Sequence, residues 1–394
     1  MRFKKIVSAM LLCAVLAGCS TTAPSHEIPL DKNSDCPIST MRTGTERQGI
    51  KTVANSFECM QEGAYFMCDG NADGFGKWLL YADHGSDNVI KLCGRPDCAH
   101  NNEECNAYFD GAWTITYYNG YLYTYDIYSH DLIRMNLDGT ERTTVYNVSS
   151  FLSKNNIKTT YKQTIINGVF FIAGSGLDDM GEEVMSTAYY KLDGSMNELK
   201  IDPSLTLYIY ADGEKFICPT ESNDAENKQY IITLWDPDMG VVDELFTADK
   251  ISSSGYYGTK ARYYVENGVI IEDSYAEGKK ELIDTGLKGD YRLVCLPDCM
   301  AVSERAGEYK EKMLLFYDWN LNGLGSVRLD YDFDESIFGP ICGETPERIF
   351  LTDNNMLTPR YYINKSDFGT GNIEIHPLNM PNGFPFYKET ENEQ

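Results

Sequence analysis

Three thiols and one imidazole stand within 13 residues, at Cys93, Cys98, His100 and Cys105 of the run Leu92-Cys93-Gly94-Arg95-Pro96-Asp97-Cys98-Ala99-His100 and its continuation. Four such ligands suffice for a tetrahedral Cys3His zinc site. The spacing Cys-x4-Cys-x-His-x4-Cys is not that of a common finger or knuckle. In an exported chain, a disulfide-stapled loop with Cys93 and Cys98 oxidised and the histidine left exposed accounts for the same residues. The stapled loop, with no cofactor, is the preferred expectation, and zinc on Cys93, Cys98, His100 and Cys105 is the alternative. A degenerate echo at Val294-Cys295-Leu296-Pro297-Asp298-Cys299 has neither histidine nor third cysteine. Cys295 and Cys299 are therefore further disulfide candidates at a turn.

Other chemistry is sparse. Asp69-Gly70-Asn71-Ala72-Asp73-Gly74 and Asp318-x-Asn320-x-Asn322-Gly323 open like calcium loops, but Leu80 and Leu329 stand where the twelfth-position glutamate belongs. Hairpin turns are the expected reading of both, because Asp, Asn and Gly suit turns on conformational grounds. There is no Gly-x-Ser-x-Gly elbow, His-Glu-x-x-His pair, phosphate loop or dinucleotide fingerprint. His26, His84, His130 and His376 are isolated and expected at the surface. A glycosidase needs only two placed carboxylates, and 59 acidic residues leave that alternative open.

The N-terminus says where the chemistry would be displayed. Arg2, Lys4 and Lys5 precede an apolar run from Ile6 to Ala17, a signal segment too short to remain as a membrane span. It closes with Leu16-Ala17-Gly18-Cys19, which resembles a bacterial lipobox, in which small residues precede a cysteine that receives diacylglycerol and its palmitate-type chains. The expectation is a signal peptide at 1–18, lipid on Cys19 and a flexible tether over 19–48. The body then sits on the extracytoplasmic face of the membrane, anchored rather than spanning. Removing 1–18 leaves 31 basic against 59 acidic residues, near −28 with histidine neutral. Such a charge disfavours nucleic acid. Apolar content of 42% and 28 tyrosines are too much for a solvated tail.

The elements that must position these residues are strands. From about residue 49, short runs of Tyr, Phe, Ile, Val and Leu alternate with Gly, Asn and Asp, without helical periodicity. Asn119-Gly120, Asn167-Gly168, Asp212-Gly213 and Asn267-Gly268 each introduce an apolar run, at intervals of 48, 45 and 55 residues. These pairs suit tight hairpins because both central residues tolerate positive φ. Second runs at 132–135, 188–191, 231–235, 314–317 and 361–363 end in Asp or Asn turns. Four strands per 40 to 50 residues is the period of a propeller blade. Units at Tyr65, Tyr121, Phe170, Phe216, Ile270, Leu314 and Phe350 predict an all-β propeller of seven blades over 49–380, with six or eight as alternatives and an acidic tail over 381–394.

The segment LCGRPDCAH, followed by Cys105-Asn106-Ala107-Tyr108-Phe109, resembles a group of uncharacterised lipoproteins of Gram-positive anaerobes, with relatives in a propeller family of unknown function. Their first blade ends in a similar Cys-x4-Cys-x-His segment. The resemblance implies the propeller and the lipid anchor, and it brings no catalytic residues. The function expected first is a surface-displayed binding module for a glycan, peptide or envelope protein. A carbohydrate-active hydrolase or lyase using channel carboxylates is the alternative, and a metal-dependent sensor built on the cysteine loop is the third.

Overall fold

A computed structural model describes residues 57–381, apart from 61, 70–75, 179, 193–195, 200–208, 213–214, 222–228, 249–254, 288–290, 305–311, 330–339 and 353–357. The signal segment, Cys19, the tether, Cys13, Cys36, His26 and the tail beyond 381 lie outside the described residues, as do most of the Asp69–Gly74 loop and Gly213. No helix among the described residues is long and apolar enough to cross a membrane.

The described strands form seven antiparallel sheets, six of four strands and one of five, each built on four strands in sequential order. They run over 57–91, 116–147, 157–199, 210–248, 255–284, 291–328 and 341–377, and we number these blades 1 to 7. The molecule is a seven-bladed β-propeller. Blade 1 consists of β1 (Phe57–Cys59), β2 (Gly63–Asp69), β3 (Lys77–Asp83) and β4 (Val89–Lys91), with an added strand, β5 (Tyr108–Phe109), beside β3. Blade 2 follows as β6 (Thr116–Tyr118), β7 (Tyr121–Tyr125), β8 (Asp131–Met135) and β9 (Thr143–Asn147). The first strand of each blade is innermost: β1 meets both β6 and the strand Ile341–Glu344, the first strands of the blades on either side.

The turns obey the chemistry of their residues. Asn119 and Gly120, Asn167 and Gly168, and Asn267 and Gly268 all take positive φ, between 45° and 87°, the conformation of a two-residue hairpin whose twist matches its strands. In blades 2, 4 and 6 the turns into the fourth strands are held by aspartate. Asp138 Oδ1 accepts the N–H of Thr140 at 3.0 Å, and Asp236 Oδ1 accepts those of Asp238 and Met239 at 2.8 and 3.1 Å. Asp318 does the same for Asn320 and Asn322, at 2.9 and 2.7 Å, and also accepts the Asn322 side-chain amide. These hydrogen bonds, the Asn322 side chain first, hold the Asp318 carboxyl below its ordinary pKa. The second calcium-like motif is thus a self-capped turn. Asp69, the one described member of the first, is paired with Lys77.

One expectation needs correction in detail. In blades 2 to 4 the counted apolar run lies on the second strand, but Ile270 and Leu314 lie on the third strands of blades 5 and 6. The Asn267-Gly268 pair makes the second hairpin of its blade, so the 55-residue interval measures a change of hairpin, not a longer blade.

Middle strands are covered on both sides by neighbouring blades. Along β2, Ala64, Phe66 and Cys68 pack with Phe350 and Tyr362 of blade 7, whereas Tyr65 and Met67 pack with Tyr117, Leu122 and Met135 of blade 2. Alternate residues point to opposite faces of a strand, so β2, which serves two cores, is apolar from Ala64 to Cys68. Among the described residues the ring closes without a shared strand. Asn379, beyond the last strand of blade 7, accepts the Val89 N–H at 2.9 Å and donates its own to Asp87 O at 2.8 Å. Arg348 of blade 7 donates to the carbonyls of Asp83 and Ser86 at 3.3 and 2.7 Å and meets the Asp87 carboxylate, which also accepts the Tyr362 hydroxyl.

Candidate metal centre

The cysteine loop fills the chain between β4 and β5, at the outer side of blade 1. Its start is pinned by Leu92 N–H donating to Leu79 O at 3.1 Å, and its end by Leu79 N–H donating to Ala107 O at 2.7 Å. Between these points the loop turns on itself through Cys98 N–H to Arg95 O, 3.2 Å, and Cys105 N–H to Asn102 O, 3.0 Å. Both turns bring cysteines inward. The ligand atoms of Cys93, Cys98, His100 and Cys105 all lie within 4.8 Å of one another. Around a zinc ion, sulfur and nitrogen ligands at ordinary bond lengths stand about 3.6 to 3.8 Å apart, so small side-chain adjustments close the set. The cluster can hold a metal.

His100 departs from the stapled-loop expectation. It is not exposed but 5% accessible, and its backbone takes φ 53°, a region that costs a non-glycine residue about 1–2 kcal/mol. Trp78 of β3 donates its indole N–H to His100 O at 2.8 Å, which fixes the backbone, and the imidazole Nδ1 then sits 3.2 Å from Cys105 Sγ. Cys93 and Cys105 are buried, and Cys98 is the half-buried member. The structure shows no disulfide between any of the nine cysteines among the described residues, Cys295 and Cys299 included.

Two arginines surround the cluster. Arg95 Nη2 lies 3.6 Å from Cys98 Sγ and also donates to the Glu104 carbonyl. Burial opposes the Cys93 thiolate, but hydrogen bonds from the Arg95 N–H, the Cys105 and Cys98 thiols and the Arg95 guanidinium outweigh it, and its pKa falls below the ordinary thiol value. Burial pushes the Cys105 thiol the other way, up to about 12, against the Ala107 N–H donated to its sulfur at 3.3 Å. Arg142, from the turn between β8 and β9 of blade 2, donates to the carbonyls of Tyr108 and Cys105 at 2.8 and 3.0 Å and to that of Asn106. Its guanidinium lies 3.6 Å from the centre of the Phe109 ring. Burial depresses its pKa to about 10. Arg142 therefore ties the loop to the next blade, a contact no local motif announces.

The echo motif sits elsewhere in its blade. Leu296 N–H donates to Cys299 O at 2.8 Å, closing the first hairpin of blade 6. Asp298 N–H donates to Glu344 Oε1 of blade 7 at 2.6 Å, and Lys365 pairs with both carboxylates. Burial raises the Glu344 pKa, with Lys365 opposing. Glu58 on β1 similarly accepts the Thr116 hydroxyl at 2.6 Å and the Tyr117 N–H at 3.0 Å. These two innermost-strand carboxylates join blades. The three isolated histidines among the described residues are half-buried rather than surface residues: His84 lies 3.9 Å from Glu347, His130 Nδ1 3.2 Å from the Tyr125 hydroxyl, and His376 stacks on Tyr362.

No family model and no curated protein matches the chain. Solved structures do. The puromycin hydrolase S511A mutant complexed with PGG aligns at a TM-score of 0.50 and 10% identity, over 82% of this chain and 53% of that one. PorZ, a surface component of the type-IX secretion system of Porphyromonas gingivalis, aligns at 0.45 and 10%, over 80% and 37%. AztD from Citrobacter koseri aligns at 0.39 and 10%, over 86% and 87%. This chain thus spans about a third of PorZ and about half of the hydrolase. The likeness is one of fold.

Proposed function

We propose that this chain is a lipoprotein of the uncharacterised group its cysteine loop resembles, anchored through Cys19 to the extracytoplasmic face of a membrane, where its propeller serves as an interaction module. The observation that carries the module reading is two exposed aromatics on adjoining, hydrogen-bonded loops. Trp113, 43% exposed, lies in the connection from blade 1 to blade 2, and Tyr128, 61% exposed, lies in the turn between β7 and β8. The two loops are zipped together by Ile127 N–H to Gly111 O at 3.0 Å and by Trp113 N–H to Tyr125 O at 3.4 Å. Asp126 holds the turn through the N–H groups of Tyr128 and Ser129, at 2.8 and 2.9 Å. Gly111 leaves room for the Tyr128 ring, which a Cβ there would meet at 2.6 Å. Lys77 Nζ covers one face of Trp113 at 3.7 Å from the ring centre.

Exposed aromatics held in advance stack on sugar rings or peptide side chains at little entropic cost, and an acidic chain suits neutral or basic ligands. The test is binding of a panel of envelope and plant polysaccharides and basic peptides to wild type and to Trp113→Ala/Tyr128→Ala. Binding lost at least tenfold in the double variant supports the reading. Turnover of any polysaccharide, abolished by one channel-facing carboxylate substitution, replaces it with the enzyme reading. The Cys3His geometry favours a second role beside the first, uptake of zinc by blade 1.

A further inference from the structure

The cysteine loop has two features that a disulfide between Cys93 and Cys98 leaves unexplained. One is the burial of His100 in a left-handed backbone with Nδ1 turned to Cys105. The other is the burial of a third thiol, Cys105, at the same point. A soft, tetrahedral donor set of three sulfurs and one imidazole selects zinc among common divalent ions.

From this we infer that Cys93, Cys98, Cys105 and the Nδ1 of His100 form a closed, structural Zn2+ site, which Arg95 helps to neutralise and Arg142 fastens to blade 2. The inference rests on the reading that blade 1 takes up zinc. It adds that the ion has no open position, so that it folds the loop rather than senses or catalyses. On uptake, three thiols release three protons to solvent and the histidine binds neutral, leaving a centre of net charge −1. The guanidinium of Arg95, 3.6 Å from Cys98 Sγ, offsets that charge beside the most accessible ligand. Arg142 binds the carbonyl of Cys105 itself and those of Asn106 and Tyr108, so it is a positioning residue that holds the ligand from the backbone side. Groups behind the ligands typically change metal affinity by about 10–100-fold. The same contacts carry the ion's effect across the blade boundary, because β5, which ends the loop, pairs with β3 while Arg142 reaches it from blade 2.

The full-length chain, purified with reductant and without chelator, is assayed for metal by mass spectrometry and then reloaded with Co2+. One zinc per chain is expected, with a Co2+ spectrum of a tetrahedral, thiolate-rich site that added imidazole or cyanide does not alter. His100→Asn should weaken zinc binding at least tenfold. Arg142→Ala should keep one zinc per chain but release it to a chelator about 10–100-fold faster. A bound metal whose Co2+ spectrum shifts with added ligand, or whose affinity ignores His100→Asn, overturns the closed site and leaves zinc uptake standing. Absence of zinc from the purified chain and failure to take up Co2+ under reductant, with Cys93 and Cys98 joined by mass analysis, sink the uptake reading itself. The wild-type cobalt spectrum decides the matter if either variant fails to fold.

Discussion

The Nδ1 of His100 lies 3.2 Å from the Sγ of Cys105, and the histidine that makes this contact has a left-handed backbone. Asparagine tolerates that conformation well. His100→Asn should therefore change the stability of chelator-treated protein by under about 1 kcal/mol. In zinc-loaded protein it should cost several times that, because binding energy is folding energy at such sites. Denaturation in urea with and without chelator checks both values, and an equal loss in the two conditions refutes a ligand role for His100.

Glu344 supplies a pH test of the joint between blades 6 and 7. Its pKa is raised above the ordinary 4.5, so the folded state binds that proton more tightly than the unfolded chain. Its contribution is complete below 4.5 and is lost as pH rises through the raised value. The stability of wild type relative to Glu344→Gln should accordingly fall across that interval and then level off. A difference that grows with pH contradicts the assignment.

Arg348 holds the seam between blades 7 and 1 through two carbonyls and Asp87. Arg348→Met leaves these acceptors without their donor and should cost about 3 kcal/mol. Limited proteolysis should show faster cutting near residues 83–89, and unchanged cutting there means the seam is held by its apolar core alone.

The membrane anchor depends on one sulfur. Cys19→Ala should yield unlipidated precursor that partitions differently in detergent phase separation. Mass analysis of the wild-type N-terminus should find diacylglycerol, and a mature chain without it contradicts the lipoprotein proposal.

The blade count was legible because turn chemistry is local. Asn119-Gly120 and Asn267-Gly268 state their backbone conformation in two residues, although nothing local says which hairpin of a blade they close. The four metal-type ligands were legible by spacing. What spacing could not convey is that Trp78 holds the His100 carbonyl and that Arg142, 37 residues beyond Cys105, clamps the loop. Both contacts depend on how strands and blades pack, and an arginine in a turn looks the same whether it meets water or three carbonyls. Trp113 and Tyr128 were equally silent, since most tyrosines here pack between blades.

Among the described residues every blade is built from one stretch of chain, and the ring is joined where Asn88 meets Asn379, 291 residues apart. A contact of that separation closes only after the intervening chain has been gathered in, so the last event of folding should be the meeting of two finished sheets rather than the insertion of a missing strand. It also means that no single inter-blade linker is privileged. A circular permutant that links residues 57 and 381 and opens between blades 2 and 3 would move the seam without cutting any sheet.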